Sequence, residues 1–355
     1  MANSQISPEP YRSRSAPIDL LRIFAASAVV AFHYLYLFPN NGEVSGLNIP
    51  SFIQNTSSYG YLGVELFFMI SGYVITVSAE KRTRSQFALA RFVRLWPAFA
   101  ICMFISLAAL TIAGRAPSGM TIIANLTMIP HIFGFAYIDG AYWSLMFEII
   151  FYTAIALFVI SSNFLTRLQI FTFIWLVLAL VGHYLLPSKL TTLLTLNYAP
   201  YFATGICVFL IRRSGGTAGQ WLLGLFAICE AMLFIARQSD ELGTTSNLPA
   251  TLVTCSIILM SAAMVYAAPA IQFGPKLSKL SIALGGISYP LYLLHGTIGA
   301  VSARALVPGL GPMALGYIVV AIFALSYLVW RVEVPIRQNL LNRLKSSPAP
   351  FRSIL

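Results

Sequence analysis

Charge is scarce in this chain. Only 9% of its 355 residues are Asp, Glu, Lys or Arg, while 58% are hydrophobic. Soluble globular domains carry about 25% charged residues, so a soluble fold is excluded. Acidic residues are scarcest, with 11 Asp and Glu against 22 Lys and Arg. In a soluble protein that imbalance would suggest a nucleic-acid partner. In a membrane protein the Lys and Arg of cytoplasmic loops account for it, and no nucleic-acid partner is expected. Cysteine is almost absent: Cys102, Cys207, Cys229 and Cys255 are isolated within apolar runs. With no CxxC spacing they read as small packing residues, which excludes a disulfide framework and a thiolate metal site. The four His are scattered without ligand spacing, so no metal is expected. No polar stretch is long enough to fold as a domain, and no internal repeat of the kind that builds transporters is visible.

What the chain has is long apolar runs. They approach the length of about twenty residues that crosses a bilayer as helix, and they are continuous, unlike the short alternating strands of a barrel. The fold class expected is all-α: a polytopic transmembrane helical bundle of about ten spans. These fall at 17–38, 59–79, 86–113, 141–160, 168–186, 198–211, 220–236, 249–268, 282–302 and 313–330. Residues 119–140 are apolar but broken by Pro130, Gly134 and Gly140, and read as a re-entrant or surface segment. With both termini cytoplasmic, every Lys and Arg except Arg115, Lys189, Arg237 and Arg304 lies inside, as the positive-inside rule requires. The division expected is a cytoplasmic N-terminal tail at 1–16, a membrane domain at 17–337 and a cytoplasmic C-terminal tail at 338–355. The basic residues Arg12 and Arg14 ahead of an apolar run resemble a signal peptide. The run is too long and lacks a small-residue cleavage site, so retention is expected.

Several spans carry ionisable groups, which are costly in lipid and mark function. In the first, Arg22 and His33 are eleven residues apart, three helical turns plus about 20°, so they share a face about 16 Å apart along the axis. Asp19 lies within about 40° of that face. Counting inward from the outer ends of their spans puts His33, Glu65 and Glu148 at a common depth of about 8–10 Å, with His295 similar or deeper. An imidazole with a carboxylate beside it is the arrangement of a general base; the structural alternative is a polar layer binding the helices together. Toward the cytoplasm, Arg91 and Arg94 at i, i+3 share a helix face and join Arg22. Guanidinium suits bidentate phosphate contacts. A polyanion-binding mouth inside and a base near the outside, a helix length apart, fit a co-substrate shaped like acyl-coenzyme A.

Six motifs in order carry a family resemblance over nearly the whole chain. IDLLRIFAASAVVAFHY places Arg22 and His33 with ten residues between them in the opening helix, followed by GVELFFMISGYVI, RFVRLWPAF, YWSLMFEIIFY, ISYPLYLLHG and VEVPIR. The chain resembles the membrane-bound acyltransferase family 3, bacterial enzymes that O-acylate extracytoplasmic polysaccharides. One departure is Glu65, where the family more often has Asp.

The resemblance implies an acyltransferase of the bacterial inner membrane that moves an acyl group, expected to be acetyl, from cytoplasmic acyl-CoA to a hydroxyl of an extracytoplasmic or lipid-linked polysaccharide. It implies His33 as the catalytic base and Arg22, Arg91 and Arg94 on the coenzyme A side, and places Glu148 within a family motif; Glu148 is expected to assist His33. Glu65, Trp143 and His295 are expected on the acceptor side, with an aromatic rim of Tyr34, Tyr36, Tyr142 and Trp143 for sugar rings. The rival reading is a proton-coupled transporter or flippase using His33, Glu65 and Glu148 as a relay.

Overall fold

The computed structural model describes residues 15–42, 44–241 and 248–346. The expected N-terminal tail up to residue 14 and the C-terminal tail from 347 lie outside them. Ten long helices form the bundle: α1 Ala16–Phe32, α2 Gly63–Ala79, α3 Arg84–Ile112, α4 Trp143–Ala154, α5 Phe164–Leu185, α6 Ala199–Ser214, α7 Ala218–Glu241, α8 Leu248–Ala267, α9 Pro275–Leu310 and α10 Met313–Ser346. Nine stretches among the described residues are long and apolar enough to cross a membrane. The other helix, α6, has 16 residues and is buried on nearly every side, so protein rather than lipid surrounds it. Helix α10 runs on to Ser346, past the expected start of the C-terminal tail at 338. Residues 119–140 form no span: a short helix, Gly119–Leu126, and a 3-10 turn, Pro130–Phe133, end at a left-handed Gly134.

Local chemistry explains the key elements. Pro17 opens α1, where its missing N–H costs nothing and its fixed φ suits the first turn. At its other end α1 passes into a π-helical turn, His33–Leu37, that begins at His33 itself; single π turns recur where a helix positions a functional side chain. Helix α3 starts with a capping box, Thr83 and Gln86 each bonding the other's backbone N–H. It carries Pro97 in its interior, which removes the N–H that would bond Val93.

Without a hydrophobic drive between helices in lipid, close backbone approach does the packing, and small residues permit it. α1 and α9 run parallel: Gly285 lies against Asp19 and Gly299 against Tyr34. Gly60 and Gly63, at the start of the second span, seat on the carbonyls of Ala28 and Ala25 in α1. α2 and α6 run parallel with Gly72 and Gly205 facing each other, and end at an ion pair, Arg213 Nε to Glu80 Oε1 at 2.6 Å. The outside of the bundle is apolar, with exposed Phe24, Phe92, Phe104, Phe173, Leu225 and Leu259.

Candidate active site: two cavities back to back

Two cavities lie in the half of the bundle built on α1, α3, α4 and α9. The inner one, about 100 Å3, is lined by Arg22, Arg91 and Arg94, and by Ser71 of α2. Helix α4 adds Ser144, Glu148 and Tyr152, spaced i, i+4, i+8 and therefore on one face. Ser71 Oγ donates to Glu148 Oε1, Tyr152 also bonds Glu148, and Arg22 and Arg91 lie within electrostatic reach. Arg22 pairs with Asp19, Nη1 to Oδ1 at 3.0 Å, one turn back on α1. Arg91 Nη2 donates to Ser78 Oγ at 3.1 Å, and its buried Nε has no hydrogen-bond partner among the described residues. Beside Arg94 lies the ion pair of Arg337 and Glu333, 3.2 Å, within VEVPIR. The three guanidiniums thus converge, although they come from two helices.

The outer cavity, about 240 Å3, is lined by His33, Asp139, Thr297, Arg115 and Arg304. His33 Nδ1 lies 2.9 Å from the Val29 carbonyl and 3.3 Å from Nε2 of His295, with the rings edge to face. His295 Nδ1 is 2.7 Å from the Tyr292 carbonyl. These contacts assign the tautomers. A carbonyl only accepts, so His295 carries its proton on Nδ1 and offers the Nε2 lone pair. Two acceptors facing His33 Nδ1 put the His33 proton there too. His33 Nε2 is left as the lone pair, on the imidazole that lines the cavity.

Asp139 anchors this region. Its Oδ1 accepts from the Ala141 amide at 2.8 Å, starting the turn that leads into α4, and its Oδ2 accepts from the Thr297 amide of α9 at 2.6 Å. Burial pushes its carboxyl above the ordinary Asp range, against the Thr297 and Ala141 amides, which pull it down. Asp139→Ala should remove both ties. A thermal melt of the purified protein is expected to drop by the equivalent of about 1–2 kcal/mol, the upper range for a lost helix cap; an unchanged melting temperature would mean that the ties carry no load.

The linings of the two cavities lie one helical turn apart. Ser144 Oγ and Tyr292 Oη bond each other at 2.8 Å on the inner side, while Ala141, Gly296 and the His33–His295 pair stand on the outer.

The placement differs from the sequence expectation in three ways. Glu148 is not beside His33 and does not share its depth; it belongs to the inner cavity with Arg22 and Arg91, and His295 takes the place next to His33. The aromatic rim does not exist as such: Tyr34 and Tyr142 are 1% exposed, Tyr34 donating to the His295 carbonyl at 2.9 Å. Trp143 packs among Phe68, Phe147 and Tyr198 instead of lining either cavity. Glu65 also lines neither; it is 2% exposed, and its Oε2 has no hydrogen-bond partner among the described residues. Asp139 escaped the sequence reading, while Ser71, Ser144 and Tyr292 stood within the quoted motifs without being singled out as site residues; for Asp139 the usable signal was Asp139-Gly140 ahead of YWSL, a helix-start signature.

A family model described as an acyltransferase domain matches residues 16–331. Comparison with curated proteins and with solved structures found no match.

Proposed function

The chain belongs to acyltransferase family 3, a family of acyltransferases, and from that premise we propose that it moves an acyl group from acyl-CoA to a sugar hydroxyl across the membrane. The donor is cytoplasmic, with acetyl as the expected acyl group. The acceptor is an extracytoplasmic or lipid-linked polysaccharide, and the protein resides in a bacterial inner membrane with both termini inside. One observation carries this reading: a guanidinium-lined cavity and a histidine-lined cavity have linings one helical turn apart, Ser144 and Tyr292 in the first and Ala141 and Gly296 in the second.

The residues fit the parts assigned to them. Arg22, Arg91 and Arg94 offer the fork geometry that phosphates take, and Arg91 Nε is buried without a partner among the described residues. The inner cavity is too small for a nucleotide but suits a narrow chain. On this reading the phosphates stay at the cytoplasmic mouth and the pantetheine arm threads inward. Glu148, held by Ser71 and Tyr152, offsets the mutual repulsion of the guanidiniums. In the outer cavity His33 Nε2 takes the hydroxyl proton as the oxygen attacks the thioester carbonyl. The C–O bond forms, the C–S bond breaks, and His33 returns the proton to the departing thiolate. His33 Nδ1–H, bonded to Val29 and His295, holds the ring while it is charged.

On this reading the acyl arm passes Ser144 and Tyr292, whose hydroxyls bond each other at 2.8 Å; a hydrogen bond between neutral hydroxyls contributes about 0.5–1.5 kcal/mol net. The decisive experiment uses proteoliposomes with radiolabelled acetyl-CoA on one side and glycan acceptor on the other. Ester-linked label on the glycan is expected; transport of an unmodified substrate with no label would support the transporter reading instead. Arg91→Gln or Arg94→Gln should weaken coenzyme A binding at least tenfold, about 1.4 kcal/mol. Unchanged affinity by titration calorimetry would remove those side chains from the donor site.

A further inference from the structure

Below the inner cavity, toward the end of the bundle where the charge pattern expects the cytoplasm, two guanidiniums share one hydroxyl. On α2 the residues Phe67, Ser71, Val74 and Ile75 line the cavity at helical spacing, and Ser78 is the next position on that face. Ser78 Oγ accepts from Arg91 Nη2 of α3 at 3.1 Å and from Arg82 Nη1, in the turn between α2 and α3. Two hydrogen bonds to one oxygen hold these cations within about 6 Å of each other. A hydroxyl is neutral and cancels none of their charge. Among the described residues no carboxylate stands within ion-pair distance of Arg82. Glu80, two residues back, pairs with Arg213, and Glu148 is bonded by Ser71 and Tyr152. The turn itself is fixed at both ends, by the Glu80 amide on the Thr76 carbonyl and by the capping box of Thr83 and Gln86. The positive-inside rule accounts for a cation here, and the bond from Arg82 Nη1 to the Ser78 carbonyl, 2.7 Å, caps the last turn of α2. Neither calls for a second guanidinium on the same hydroxyl.

We infer that Arg82 and Arg91, joined through Ser78, bind the ribose 3′-phosphate of the donor nucleotide, and that Arg82 makes the protein selective for coenzyme A over thioesters lacking that group. The inference rests on the acyl-CoA reading and extends it to a residue outside the cavity. Coenzyme A runs from its thiol along the pantetheine arm to a diphosphate, and then to adenosine, whose ribose carries the 3′-phosphate. With the arm in the inner cavity, the diphosphate reaches the guanidiniums that line it, Arg22, Arg91 and Arg94. The next anion along the molecule falls farther out, where Arg82 stands against Ser78. Arg91 touches both positions, lining the cavity and bonding Ser78. A phosphate oxygen between Arg82 and Arg91 would take the hydrogen bonds that Ser78 Oγ accepts, and would supply the negative charge that a hydroxyl lacks.

The test is direct binding to the purified full chain by titration calorimetry, with coenzyme A, 3′-dephospho-coenzyme A and pantetheine 4′-phosphate as probes. Coenzyme A is expected to bind at least about tenfold tighter than its 3′-dephospho form, the size of one charge-assisted contact to phosphate. Arg82→Gln should bring the two within about twofold by weakening coenzyme A alone, while Arg82→Lys keeps part of the preference, since the charge stays and the fork is lost. Pantetheine 4′-phosphate should bind the parent and both variants alike. Arg94→Gln, by contrast, should weaken coenzyme A and its 3′-dephospho form together. If Arg82 only caps α2, its loss lowers the melting temperature and leaves the ratio of the two affinities as it was, which would overturn the inference. Equal binding of coenzyme A and the 3′-dephospho form by the parent would overturn it too. Either result alongside labelled glycan in the proteoliposomes sinks this inference and leaves the donor reading standing, whereas no binding of any probe ends both.

Discussion

Replacing His33 by Ala is expected to lower acyl transfer by about 10²- to 10⁴-fold, the range for loss of a positioned general base. The protein should still insert and still bind coenzyme A, because His33 lines the outer cavity and the guanidiniums line the inner one. The loss should fall on kcat, with KM for the donor unchanged, as for an interaction made only as the hydroxyl loses its proton. His295→Ala is the informative companion. It removes one of two acceptors at His33 Nδ1 and leaves the Val29 carbonyl in place, so the tautomer survives but the ring is held less firmly. A loss of about 10- to 100-fold is expected, as for orienting partners of metal-bound imidazoles. If His33→Ala retains activity within about twofold, the hydroxyl is deprotonated elsewhere. Equal losses for the two variants would instead mean that the pair acts as one unit.

Much of this arrangement was legible in the amino-acid order, and the exceptions have physical causes. The ionisable residues of α1, α3 and α9 could be placed because those helices traverse the bundle from end to end, so a residue's index is also its depth. Arg22, Arg91 and Arg94 converge as their positions near the starts of two long helices imply. Glu148 breaks the rule. Its helix begins inside the protein: Ile138, Asp139, Ala141 and Tyr142 ahead of and at its start are all buried. Counting seven residues from the first helical one therefore starts well below the surface, and the carboxylate lands in the inner cavity. A periodicity count cannot see that a preceding loop dives.

The neighbours of His33 were hidden for a different reason. Which residue of α9 meets it depends on where α1 and α9 touch, and Gly285 and Gly299 decide that by accepting Asp19 and Tyr34 against their bare Cα atoms. Two contacts fourteen and fifteen residues apart on the two helices fix the register, and His295 then falls opposite His33. Helix pairing is thus the information that turns a set of polar residues into a catalytic arrangement. The same holds for α6, whose 16 residues would make a marginal span in lipid but suffice once protein surrounds them.

Gly205→Leu is accordingly expected to prevent accumulation of folded protein. A Cβ at Gly205 would strike the Met69 carbonyl and come within 2.6 Å of the Tyr73 nitrogen. At Gly72 it would strike the Phe202 carbonyl. These obstacles are backbone atoms, so no side-chain rotation relieves them, and α2 and α6 must move apart along their length. Ordinary overpacking costs about 1–3 kcal/mol because neighbouring side chains give way; here the cost should exceed ~3 kcal/mol. Separating the pair would also shift Ser71, next to Gly72, from Glu148, so the inner cavity would lose its form before the bundle failed. Gly72→Ala adds a smaller side chain, but its Cβ meets the same Phe202 carbonyl, and it is expected to lower the melting temperature and weaken coenzyme A binding. Gly316→Leu, where a Cβ meets nothing within 4 Å, should behave as the parent does. Size-exclusion profiles and thermal melts of the three variants read the result. Normal folding of Gly205→Leu would mean that α2 and α6 do not pack through facing glycines, and would undo the account of how Ser71 is delivered to Glu148.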